Sequence, residues 1–228
     1  ALPMNTGAEA VETAIKAARK WGYKVKGVPE GKAEILVFRG NFHGRTTTIV
    51  GFSDEAQYRD GFGPFTPGFT LLPYGDLGAI RAAMKQNVVA ILVEPIQGES
   101  GIVIPPEGYL RGIEKLCAEH RALFMVDEIQ SGLGRTGKLF AYEWSGITPD
   151  IMAIAKGLAA GYLPLGAAIY SQKLADAFAP VHGGPQTGHT FTGHTACCAA
   201  GVAVQKIVTR EKLAERVVEW GPKLAKMM

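Results

Sequence analysis

Phe124-Met125-Val126-Asp127-Glu128-Ile129-Gln130-Ser131-Gly132-Leu133-Gly134-Arg135-Thr136-Gly137-Lys138 joins an apolar run to a pair of carboxylates and then to a glycine-rich loop. Such a join suits a nucleotide hydrolase, in which an acidic strand end holds magnesium and a glycine-lysine loop wraps phosphate; Gly132 to Lys138 has that spacing. The hydrolase loop also needs a serine or threonine after its lysine to hold the metal, and Leu139 stands there. It must follow its own strand directly and open a helix, whereas here the acidic strand end comes immediately before it. The order and the metal ligand both argue for other chemistry at this strand end.

Outward from this stretch, similar apolar runs occur at Glu34 to Phe38, Val88 to Val93, Ala122 to Val126, Ile151 to Ala155 and Gly166 to Tyr170. They are continuously apolar rather than alternating, the pattern of strands covered on both faces. Helical periodicity lies between several of them, over Leu77 to Gln86 and Tyr109 to His120, and two further helices fill Ala196 to Met228. Near the start, Thr6-Gly7-Ala8-Glu9 has the form of a capping box, opening a helix that runs to Trp21. Alternation of this kind predicts an α/β fold with a mostly parallel central sheet covered by helices. No internal repeat or linker divides the 228 residues.

Composition narrows the class. Hydrophobic residues make up 47% of the chain, enough for a sizeable core, and the net charge of +3 comes from 24 basic and 21 acidic residues without a run of one sign. Neither a nucleic acid nor a membrane surface is expected as a partner. Cys117, Cys197 and Cys198 are odd in number and lack metal-ligand spacing, so they read as reduced thiols, and no metal is expected. Ala1-Leu2-Pro3-Met4 has no basic flank. The chain reads as cytoplasmic, and a targeting segment upstream would be compatible with it.

Three of the predicted strands run into polar residues: Glu94 and Gln97 after Val93, Asp127 and Gln130 after Val126, Lys156 after Ala155. Ligands of a parallel sheet gather beyond the carboxyl ends of its strands, so these groups should meet on one rim. A single polar strand end is ordinarily just solvated; the recurrence points to a site. The set suits a cofactor with a phosphate, an aromatic ring and a protonated ring nitrogen, attached to a lysine. The helix start at Gly7-Ala8 offers unpaired N–H groups to the phosphate. Asp127 would keep the ring nitrogen charged, and Lys156 would condense with the cofactor. Phe42 or His43 could stack on the ring, with ordinary core packing as the alternative for Phe42.

Together the motifs resemble those of the class III, or subgroup II, aminotransferases, which are fold-type I pyridoxal-phosphate enzymes. Asn5-Thr6-Gly7-Ala8-Glu9-Ala10, Asn41-Phe42-His43-Gly44-Arg45-Thr46, Val93-Glu94-Pro95-Ile96-Gln97-Gly98-Glu99, Val126-Asp127-Glu128-Ile129-Gln130, Gly134-Arg135-Thr136-Gly137, Ala155-Lys156-Gly157 and His189-Thr190-Phe191-Thr192-Gly193-His194 occur in family order. The first third looks most like ornithine aminotransferases and the part after Asp127 more like omega-transaminases in general. The resemblance implies pyridoxal 5'-phosphate bound at Gly7, Ala8, Phe42, Glu94, Asp127, Gln130 and Lys156. Lys156 is implied as the cofactor lysine and proton shuttle, Asp127 as the partner of the ring nitrogen, and Glu94 as a support for the ring. Thr192 would reach the phosphate of the neighbouring subunit, which implies a homodimer with shared sites. Arg45 and Glu99 would serve substrate, Arg45 by gripping a carboxylate. The implied reaction moves an amino group from an amino acid or omega-amine, ornithine-like by preference, to a 2-oxo acid such as 2-oxoglutarate. Family members are much longer, so residues 1 to 228 are expected to be the cofactor-binding large domain without the N-terminal segment and the C-terminal small domain. An inactive fragment of such an enzyme is the other reading.

Overall fold

The computed structural model describes residues 1–180 and 186–227. Its centre is a seven-stranded sheet in the order β1-β7-β6-β5-β4-β2-β3, made of β1 (Leu2–Met4), β2 (Glu34–Phe38), β3 (Phe69–Leu72), β4 (Val88–Val93), β5 (Leu123–Asp127), β6 (Ile151–Ile154) and β7 (Gly166–Tyr170). Strands β2 to β6 pair in parallel, and β7 joins β6 antiparallel. The helices are α1 (Gly7–Trp21), α2 (Thr47–Gly51), α3 (Ala56–Arg59), α4 (Leu77–Ala83), α5 (Tyr109–Glu119), α6 (Gln172–Phe178), α7 (Thr195–Arg210) and α8 (Leu213–Ala225).

The apolar runs are explained by burial on two sides. Along β5, Leu123 and Met125 pack with α1 and α6, while Phe124 and Val126 pack with α4 and α5. β2 divides in the same way, with Ile35 and Val37 on the first face and Leu36 and Phe38 on the second. Successive strand side chains point to opposite faces, so a strand between two helix layers must be apolar at every position. The predicted mostly parallel sheet and its helical cover are therefore present, with β7 and β1 added antiparallel at one edge.

Local chemistry sets where elements begin. Thr6 caps α1 by accepting from the Glu9 N–H at 3.2 Å. The second half of the expected capping box is different: the Glu9 carboxylate accepts from the Asn5 backbone N–H at 2.7 Å and the Asn5 side chain at 2.9 Å. The acid thus ties down the residue before the cap. β1 pairs antiparallel with β7, Leu2 opposite Ala168 and Met4 opposite Gly166, and so fixes the chain just ahead of this turn. Past Trp21, α1 widens into a turn of π-helix over Gly22–Lys26 that ends at Gly27 with φ of 83°.

The glycine loop after β5 is not a phosphate cradle. Leu133 and Gly134 both donate their N–H groups to the Leu139 carbonyl, at 2.6 and 3.2 Å, and the segment leads into a short 3-10 turn at Ala141–Ser145. With those donors satisfied inside the loop, little remains for an anion.

Candidate active site

Because β4, β5 and β6 are parallel neighbours, with Val93 opposite Val126 and Asp127 opposite Ala153, their carboxyl ends bring Glu94, Asp127 and Lys156 to one edge. A cavity of about 490 Å³ opens there, lined by Asn5 to Ala8, Phe42 to Gly44, Glu94, Asp127, Ile129, Gln130, Lys156 and the loop from Gly161 to Leu165. Seven of the ten expected site residues line it: Gly7, Ala8, Phe42, Glu94, Asp127, Gln130 and Lys156.

The Lys156 ammonium donates to Gln130 Oε1 at 2.9 Å. Lys156 itself has φ of 40°, a left-handed backbone that costs a non-glycine residue about 1 kcal/mol. Gln205 of α7 holds the turn by donating to the Gly157 and Leu158 carbonyls, at 3.3 and 3.0 Å. The helix layer thus sustains a strained backbone where the Lys156 amine is presented to the cavity.

Asp127 is 3% exposed and its two oxygens are separately engaged. Oδ1 accepts from the Ile129 N–H at 2.9 Å, and Oδ2 meets His43 Nδ1 at 2.7 Å. Burial alone would push the His43 imidazolium down, but its hydrogen bond to Asp127 and the charges of Asp127 and Glu94 outweigh this and raise it. His43, a ring-stacking candidate on sequence grounds, lines the cavity, yet its ring is bound to the aspartate. Phe42, half-buried, takes the cavity position beside it and meets Tyr58 edge-on at 5.8 Å.

Glu94 accepts from the Phe42 N–H at 3.1 Å and the Gly98 N–H at 3.4 Å, so it ties the Phe42 loop to the end of β4. Burial, reinforced by Asp127, pushes its carboxyl up to about 7, against the opposing pull of His43 and the two N–H groups. Glu128, the other acid of the pair, turns away with the alternation of the strand. It is fully buried, accepts from Ser131 Oγ and the Tyr142 N–H, and organises the glycine loop.

The α1 N-terminus closes the far side. The first N–H groups of a helix have no acceptor within it, so those of Gly7 and Ala8 are free to bind an anion. A Cβ on Gly7 would come within 2.8 Å of Ile129 Cδ1, so the turn needs glycine to seat against that residue.

Three expected residues stand elsewhere. Glu99 lines an adjoining cavity of about 470 Å³ with Arg135, which meets the first at Gln130 and Lys156. Arg45 is exposed, with its guanidinium 4.3 Å over the Tyr58 ring. Thr192 is exposed and accepts from the His189 N–H at 2.9 Å, outside the cavity of its own chain.

The description of the class-III aminotransferase family matches residues 1–228. The chain belongs to the class-III aminotransferases. This class-III chain is 51% identical over 221 residues to ornithine aminotransferase 2 of Staphylococcus aureus, covering 97% of itself and 55% of that protein. It is 52% identical over 220 residues to the ornithine aminotransferase of an Exiguobacterium species, covering 96% of itself and 54% of the relative. The ornithine aminotransferase of Toxoplasma gondii, whose structure shows partial occupancy of PLP at the active site, superposes with a TM-score of 0.92 at 42% identity, over 97% of this chain and 51% of that one. An (S)-enantioselective omega-transaminase from Thermomicrobium roseum gives 0.91 at 32%, over 98% and 54%. The fold is accordingly that of the fold-type I aminotransferases, and the class-III chain spans about half the length of the relatives it matches. Among the described residues no helix is long and apolar enough to cross a membrane, and no group of three or more His, Cys, Asp or Glu side chains is placed to hold a metal ion.

Proposed function

We propose that residues 1–228 form the cofactor-binding domain of a pyridoxal-phosphate-dependent aminotransferase, with an amino acid or omega-amine of the ornithine type as donor and a 2-oxo acid such as 2-oxoglutarate as acceptor. One observation carries this: an amine, a buried carboxylate and a helix N-terminus face a single cavity of about 490 Å³, large enough for a phosphorylated aromatic ring. The donor set fits the group chemically, an anion site at Gly7-Ala8, a flat ring position beside Phe42, a carboxylate at Asp127 and a primary amine at Lys156. Pyridoxal phosphate, when bound, supplies an electron sink for the bonds at the substrate's amine-bearing carbon.

The chain's own residues have separable roles in this reading. Asp127, held from two sides, keeps a negative charge fixed at the ring position without reorganising during reaction. Lys156 holds and moves a proton at Nζ, with Gln130 Oε1 as its resting partner. Glu94 positions the Phe42 loop. Arg45 would bind a substrate carboxylate and Glu99 would act toward the donor from the adjoining cavity. Thr192, exposed on its own chain, would complete the phosphate site of a second copy in a homodimer.

The preference for an ornithine-like donor is supported by the relatives named ornithine aminotransferases at 51% and 52% identity. The test of the cofactor reading needs no turnover. Protein incubated with pyridoxal phosphate, treated with borohydride and digested should carry the label on Lys156, and Lys156→Ala should carry none. Labelling of another lysine at equal yield would overturn the assignment.

A further inference from the structure

A second concave surface lies at the opposite end of the same strands. β4 runs from Val88 to Val93, just ahead of Glu94, and its six residues at about 3.3 Å each put its start roughly 20 Å from the candidate active site. At that end a groove of about 1080 Å³ is lined by Lys26, Lys32, Lys85, His120 and Arg121, with Glu119 as its only carboxylate among the described residues. In a chain with 24 basic and 21 acidic residues, such a ratio is a local concentration of one sign.

These cations are not counterions of nearby acids. Glu119 is taken by Lys115 at 3.8 Å, and Glu34, at the head of β2, is taken by Thr70 and Asn87. Among the described residues Lys32, Lys85 and Arg121 have no carboxylate within ion-pair distance. A simpler explanation is that the cations neutralise exposed carbonyls at element ends. It accounts for Lys26, which donates to the Val88 and His120 carbonyls, and for none of the other three. Lys26 is also held below its ordinary range, first by burial and then by the charge of Arg121, so the two cations disfavour one another here.

We propose that this groove is a binding site for a small polyphosphate group, with the Lys26 ammonium at its base and Lys32, Lys85 and Arg121 around it. A compact polyanion relieves the mutual repulsion and accepts several charge-assisted bonds at once. Lysine and arginine are the side chains that recognise phosphate, and Lys32, Lys85 and Arg121 have no carboxylate to compete for their charge among the described residues. The groove stands apart from the cavity, so the proposal is independent of the aminotransferase reading. It is connected to it only through β4 and through α1, which begins at Gly7 and whose continuation ends at Lys26.

The test is calorimetric titration of inorganic tripolyphosphate into the whole chain at low salt, with pyridoxal phosphate present to occupy the α1 N-terminus. Lys32→Glu combined with Lys85→Glu should weaken binding at least tenfold. Lys206→Glu combined with Lys226→Glu alters net charge by the same amount on α7 and beyond α8, and should leave affinity within twofold. Thermal melts establish that both pairs fold. If the first pair does not, Arg121→Gln replaces it, with a loss of threefold or more expected. Absence of binding to the parent chain, equal losses in both pairs, or an unchanged affinity in the groove variants would each overturn the proposal.

Discussion

His43 Nδ1 lies 2.7 Å from Asp127 Oδ2, with side-chain exposures of 1% and 3%. The two residues are 84 positions apart in sequence and meet because the loop after β2 folds across the carboxyl end of β5. Together with the Ile129 N–H on Oδ1, the contact engages both oxygens of a carboxylate that is 3% exposed. His43→Leu should therefore cost stability, about 2–4 kcal/mol, because it leaves a buried charge without its partner. Adding Asp127→Leu should recover part of that loss, and a urea double-mutant cycle should give a coupling of about 1–3 kcal/mol. Additive losses would show that the pair is only adjacent.

Glu94 gives a pH dependence whose sign is fixed. Its folded carboxyl titrates at about 7, above an unfolded value of about 4.3. Between those values the folded chain holds a proton that the unfolded chain has released, so stability falls as pH rises through that window. His43, also raised, acts in the same direction: its contribution is complete below about 6.5 and is lost as pH rises through its folded value. Glu94→Gln should remove on the order of 3 kcal/mol of the fall between pH 5 and 8. Urea midpoints across that range decide the matter, and a variant with the parent's slope would refute it.

Gly98 controls Gln130 by absence of a side chain. A Cβ there would collide with the Gln130 amide, the movable end of a flexible side chain, so Gly98→Ala should fold yet displace Gln130 from Lys156. The expected result is a melting temperature within a few degrees of the parent, with cofactor affinity reduced roughly tenfold, equivalent to about 1.4 kcal/mol. Fluorescence titration with pyridoxal phosphate measures it; unchanged affinity would remove Gln130 from the site.

Arg45 separates two uses of one guanidinium. Its stacking over Tyr58 is exposed and should be worth about 1 kcal/mol or less, so Arg45→Ala should barely move the melt. In a chain extended to the length of the Staphylococcus relative, the same change should raise KM about tenfold for substrates with an α-carboxylate and spare plain primary amines. Equal effects on both substrates would leave the stacking as its whole role.

The sequence disclosed these features unevenly, for physical reasons. Central strands such as β4 and β5 were legible because burial on two faces requires an unbroken apolar run, and Asp127 and Lys156 were legible because a strand end has a fixed place. β1 and β3 were not. β1 has three residues, one a proline, and β3 (Phe-Thr-Leu-Leu) is a half-buried edge strand with a polar position. The partnership of His43 also left no local trace, since nothing near Asn41-Phe42-His43 specifies a carboxylate 84 residues later. Glu128 could have been separated from Asp127 by the strand's two-residue period, which sends neighbouring side chains to opposite faces. The spacing of Gly132 to Lys138 suggested a phosphate loop; the N–H groups of Leu133 and Gly134 are satisfied by the Leu139 carbonyl, a pairing that spacing does not encode.

The short edge strand β1 has a consequence for how the site opens and closes. Met4, 1% exposed, is followed directly by Asn5, Thr6 and Gly7, so the turn proposed to hold the phosphate is spliced onto an edge strand of the sheet. Three-residue edges are the first parts of a sheet to exchange amide hydrogens, through openings that cost far less than global unfolding. Here such an opening would dismantle the turn with the strand, and an anion held by Gly7 and Ala8 must slow it. Amide exchange at Met4 and at its pairing partners in β7 should therefore report occupancy of a pocket that none of those amides touches.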